Sequence, residues 1–77
     1  MPSLANANKQ SQVIRALERA GFERRSGGKH TIMAHPDGRY TVIPNHRALK
    51  VGTLRAILKQ CALSESDYLE LYAGKRK

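Results

Sequence analysis

The feature that most constrains this chain is a turn near its middle. His35-Pro36-Asp37-Gly38-Arg39 sets a proline, an aspartate and a glycine in succession. Proline presets its own φ, aspartate tolerates the tight bend, and glycine accepts a positive φ. Runs rich in β-formers flank it, Lys29 to His35 before and Tyr40 to Ile43 after, the second ended by Pro44. Two such runs around Pro-Asp-Gly predict an antiparallel hairpin. Phe22 to Arg25 reads as a further short strand, joined to the hairpin by a turn at Ser26-Gly27-Gly28.

Helical periodicity brackets this β segment. Val13, Ile14, Leu17 and Ala20 recur at helical spacing, and Gly21 follows as a stop, so a helix is expected from about Lys9 to Ala20. Asn6, Asn8 and Ser11 are its candidate caps. Leu54, Ile57, Leu58 and Cys61 repeat the pattern in a helix beginning near Gly52-Thr53. Ser64 opens a short last helix, with Asp67 three residues on in a weaker form of the capping box. Tyr68, Leu69 and Leu71 are placed to pack inward from it.

The expected order is α-β-β-β-α plus a short C-terminal helix, an α+β fold. Both long helices would lie on one face of a three-stranded antiparallel sheet, and the other face would stay open. Val13, Ile14, Leu17, Phe22, Leu54, Ile57, Leu58 and Leu69 form the expected core. Residues 1–8 read as a flexible lead-in, 9–73 as one domain and 74–77 as a basic tail. With 77 residues there is room for one modest core, which a partner would help to stabilise.

Charge narrows the function. Fourteen Lys and Arg stand against six Asp and Glu, a net charge of +8. Eight of the basic residues and only one acid, Asp37, fall between Arg24 and Lys59, while Glu65, Asp67 and Glu70 cluster later. A basic middle of this kind suggests a polyanion-binding face, and an acidic protein would suit the same surface. The single cysteine, Cys61, cannot form an intrachain disulfide, and it sits on an apolar helical stripe as a core residue. No apolar run approaches the ~20 residues of a membrane span, and Met1 to Asn8 lacks the apolar core of a signal peptide. A cytoplasmic home is expected.

The chemistry centres on His30. It follows Gly27-Gly28-Lys29 at the mouth of a strand. Glycines let a ligand approach closely, a lysine attracts phosphate, and an imidazole moves protons near neutral pH. RNA brings its own nucleophile, the 2′-hydroxyl. A catalyst need only take that proton, align the oxygen and stabilise the developing charge. The plainer reading is a surface histidine at a strand edge. His46, beside Arg47, is either a second imidazole or a loop residue that binds phosphate or caps the next helix. His35 in the turn reads as structural, and Tyr40 either stacks on a base or packs on the sheet. Arg25, Arg39, Arg47, Lys50 and Arg55 are candidate phosphate contacts. No metal site is expected: His30 and His35 are an odd number of residues apart and would point to opposite faces. No cofactor motif is present.

The ordered set of motifs resembles the HicA family, also called the YcfA-like proteins. Residues Val13 to Phe22 are similar to that family's opening, and Gly28-Lys29-His30 to its Gly-Ser-His site. Pro36-Asp37-Gly38-Arg39 matches its hairpin. Val42 to His46, Leu49 to Gln60, Leu63-Ser64 and Tyr68-Leu69 resemble its remainder. The resemblance covers about residues 11 to 71. It implies a double-stranded-RNA-binding-domain-like fold and a toxin that cleaves mRNA with a catalytic histidine, here His30. It also implies a HicB-type antitoxin that binds the toxin and masks that histidine. One departure is Lys29, where the family commonly has serine. Two rivals stay open beside the toxin reading: a non-catalytic RNA-binding module, and a protein-interaction partner with a basic face.

Overall fold

The computed structural model describes residues 3–27 and 30–74. Helix α1 (Gln10–Arg19) leads into strands β1 (Glu23–Gly27), β2 (His30–Ala34) and β3 (Tyr40–Ile43), followed by helices α2 (Val51–Cys61) and α3 (Glu65–Tyr72). The strands form one antiparallel sheet in the order β1-β2-β3. This is the expected α+β architecture.

The middle turn behaves as its residues dictate. Gly38 adopts φ of 102°, its amide donates to the His35 carbonyl at 2.9 Å, and the His35 amide donates to the Arg39 carbonyl at 2.7 Å. The β1–β2 connection differs from expectation. Ser26 and Gly27 are not turn residues; they continue β1, pairing with Thr31 and His30. Extended ladder pairing with a β-rich partner outweighs the turn preference of a Ser-Gly pair. Gly28 and Lys29, which complete the connection, lie outside the described residues.

Strand alternation sorts the side chains. Met33, Thr41 and Ile43 are buried on the face that α1 and α2 cover. His30, Ile32 and Ala34 of β2 and Tyr40 and Val42 of β3 take the other face, with Arg25 of β1. The core under the helices joins Val13, Ile14 and Leu17 to Phe22, Leu54, Ile57, Leu58 and Cys61. Leu69, expected among them, is only partly buried; Tyr68 and Leu71, one helical turn apart, face inward instead. Burial pushes the Cys61 thiol up to about 11, so it packs as a neutral apolar group.

The segment ahead of α1 is more engaged than a flexible lead-in. Leu4 and Ala7 are buried in the core, and the buried Tyr68 hydroxyl donates to the Ala7 carbonyl at 2.6 Å. Burial and, to a lesser degree, neighbouring Tyr72 raise the Tyr68 pKa and keep that donor protonated. None of the candidate caps closes α1: its N-cap is Lys9, with no side-chain cap bond. Asn8 instead donates from Nδ2 to the Leu49 carbonyl, 41 residues away. Ser64 does cap α3, accepting from the Asp67 amide at 3.0 Å.

Candidate functional site

The open sheet face carries the candidate site. His30 begins β2 and is exposed, opposite Gly27 on β1. Arg25 lies diagonally from it on the same face, in register with Ile32. Such diagonal neighbours are about 7–8 Å apart, within reach of an arginine side chain. Arg25 is itself exposed and only loosely paired, its Nη2 3.9 Å from Glu23 Oε1. Farther along the face, Tyr40 is 63% and Val42 42% exposed, the large apolar side chains that the described fold leaves in solvent.

The loop after β3 closes the same end of the sheet. Thr31 pairs with Ile43, so one further step along the two strands sets His30 opposite Pro44. From Pro44 the chain runs through the exposed His46, Arg47 and Lys50 into α2. This loop is fastened to the start of α1. Gln10 Nε2 and the His46 amide both donate to the Pro44 carbonyl, at 3.0 and 2.9 Å. The Gln10 amide donates to the Arg47 carbonyl, and Asn8 and Leu49 bond each other in both directions. The fold thus gathers His30, Arg25, His46, Arg47 and Lys50 toward one end. Lys29 lies outside the described residues.

Two expected phosphate contacts sit elsewhere. Arg39 is at the opposite end of the sheet with its guanidinium engaged. Its Nε bonds Asp37 Oδ2 at 2.8 Å, its Nη1 donates to the Cys61 carbonyl, and its cation lies 5.2 Å from the Phe22 ring centroid. Its backbone N–H donates to Asp37 Oδ1 at 3.0 Å, the main reason the Asp37 carboxyl is held below its usual pKa. His35 completes this cluster: its ring meets Phe22 edge-on at 5.0 Å, and its Nδ1 accepts from the Asp37 amide at 3.1 Å. Arg55 is on α2, behind the sheet, with Nε 3.5 Å from Glu65 Oε2.

Sequence reasoning missed Gln10 and Asn8, which position the basic loop. Both look like ordinary polar residues at a helix start, and only their long-range bonds reveal the role. Among the described residues no group of three His, Cys, Asp or Glu gathers as a metal site, and no helix is long and apolar enough to cross a membrane.

Fold and site together define a class: a small basic α+β domain that presents one histidine on the open face of an antiparallel sheet. The chain belongs to the HicA toxin family. The family model described as HicA toxin of bacterial toxin-antitoxin matches residues 11–63, from within α1 to just past the end of α2, and so spans the whole sheet. No curated protein matches the chain.

Proposed function

We propose that this toxin is a metal-independent endoribonuclease that cleaves mRNA in the cytoplasm, with His30 as its catalytic residue. The observation that carries the reading is the exposed imidazole on an otherwise uncovered sheet face, diagonal to Arg25. His30 removes the proton of a ribose 2′-hydroxyl. The freed oxygen attacks the adjacent phosphorus in line, the O2′–P bond forms, and the P–O5′ bond breaks as the leaving oxygen takes a proton from solvent water. His30 keeps the proton it removed until it returns it to solvent. Lys29 and Arg25 neutralise the phosphoryl oxygens as charge builds on them. The products carry a 2′,3′-cyclic phosphate and a 5′-hydroxyl.

Family membership brings an antitoxin partner in general. In our reading the partner is of the HicB type and covers the face that holds His30, Tyr40 and Val42. The apolar pair supports this, because exposed aromatic and branched side chains favour a dry protein contact. The domain's charge of +8 would speed encounter with an acidic antitoxin surface.

The test incubates the purified chain and its His30→Ala variant with defined single-stranded RNA in EDTA. The parent should cut and the variant should not. Deoxyribose at the cut site should abolish cleavage, and cutting of that substrate would sink the 2′-hydroxyl mechanism. If neither protein cuts but both bind with steep salt dependence, the domain is an RNA-binding module.

A further inference from the structure

Past the end of β3, where Ile43 pairs with Thr31, lies a concavity that does not include His30. It is lined by Pro44, His46, Ala48, Leu49, Lys50 and Thr53. Lys50 contributes an ammonium, His46 an imidazole and Thr53 a hydroxyl, all able to donate to an anion. No carboxylate is among the lining residues, and the sequence has no acid between Asp37 and Glu65. A cavity so lined is matched in charge to an oxyanion.

Its position sets which oxyanion. Extending the Thr31–Ile43 register by one step brings His30 opposite Pro44, and Pro44 is itself a wall of the concavity. A strand held at His30 therefore has its next stretch of backbone beside His46 and Lys50. The walls are also built in advance. Gln10 and the His46 amide hold the Pro44 carbonyl, Asn8 and Leu49 bond each other, and Leu49 is only 2% exposed. Little ordering is left to oppose binding.

We propose that this concavity is a subsite for a non-scissile phosphate of single-stranded RNA, next to the phosphate on which His30 acts. The choice of RNA rests on the ribonuclease reading above. Lys50 and His46 pair with the phosphate charge, and Thr53 donates to one of its oxygens. The subsite sets the path of the strand across the end of the sheet. It confers a need for a flanking nucleotide and no preference for its base, because phosphate contacts carry no sequence information.

The test measures binding by fluorescence polarisation to a 2′-O-methyl oligonucleotide, which cannot be cut through its 2′ oxygen. Single neutral methylphosphonate linkages are introduced at successive positions. The proteins are the parent, Lys50→Gln, Thr53→Val and a control, Lys59→Gln, whose side chain is exposed on the last turn of α2. For the parent, one neutral linkage should weaken binding about tenfold, the size of a lost charge-assisted contact. The same linkage should cost Lys50→Gln nothing further. Lys50→Gln should also reduce the log–log salt slope by ~0.7, one phosphate's share on a single strand. Thr53→Val should reproduce the insensitivity in part, and Lys59→Gln should behave as the parent.

Absence of RNA binding by the parent overturns the proposal. So does a linkage penalty that persists unchanged in Lys50→Gln, or an equal loss of that penalty in Lys59→Gln. Cleavage of the all-ribose oligonucleotide is scored in parallel. Coupling without cleavage overturns the ribonuclease reading and leaves the subsite standing, whereas cleavage without coupling overturns the subsite alone.

Discussion

The two ends of the sheet use similar side chains to opposite ends. At the β2–β3 turn, His35 and Arg39 surround Asp37, and the arginine also reaches Phe22 and the carbonyl of Cys61. Its charge is met by a carboxylate and the negative end of α2. At the other end, His30, His46, Arg47 and Lys50 are exposed, the last three on a loop without acids. A basic residue is a fastener where the fold supplies its counter-charge, and stays exposed where the fold withholds it. One aspartate in the turn makes the difference.

The largest expected effect lies in activity. His30→Ala should lower RNA cleavage by at least about 100-fold, in the range for loss of a general acid–base group. His35→Ala should stay within about threefold of the parent once both are measured below their unfolding temperatures. An equal loss from both variants in a gel assay would erase the division between the ends. Stability should show the converse. Arg39→Ala should cost about 2–3 kcal/mol in urea unfolding, through its ion pair, its carbonyl bond and its contact with Phe22. Arg47→Ala, an exposed side chain, should cost less than about 0.5 kcal/mol.

A smaller effect sharpens the picture of the fastened end. Ala62 follows Cys61 at φ of 57°, a left-handed conformation that an alanine adopts at a cost. Ala62→Gly should stabilise the protein by about 0.5 kcal/mol, read from the same urea curves, after the greater chain entropy of glycine is counted. The smallest effect is in acid. The folded Asp37 carboxyl has a lowered pKa, chiefly from the Arg39 amide, so the stability it lends is present above its unfolded pKa of about 3.9. That stability fades as pH falls through the lower folded value. The protection factor of the Arg39 amide, its exchange rate corrected for the intrinsic pH dependence, should fall below about pH 4, and Asp37→Asn should remove that dependence.

The sequence made legible whatever depends on neighbours. The Pro-Asp-Gly turn, the periodicity of α1 and α2, and the Ser64 cap are decided within a few residues. What stayed hidden depends on distant partners. Asn8 looked like a helix cap because its spacing allowed it, yet Leu49 claims its side chain. Arg39 looked free because nothing in the turn announces the Cys61 carbonyl. Leu4 and Ala7 read as lead-in because two apolar residues show no period, though both are buried in the core and Tyr68 bonds the Ala7 carbonyl. At the candidate site, His30 stood out from its local setting. Its closeness to the loop of His46 and Lys50 needed the β2–β3 register.

The bond from Tyr68 to Ala7 spans 61 residues, nearly the length of the chain. During translation its two halves leave the ribosome far apart in time. The first core residues must wait for α3, whose Tyr68 and Leu71 complete the packing. An interrupted nascent chain ending before α3 would lack the side chains that seal the core. The core of this domain therefore closes only once α3 has been made and Tyr68 reaches the Ala7 carbonyl.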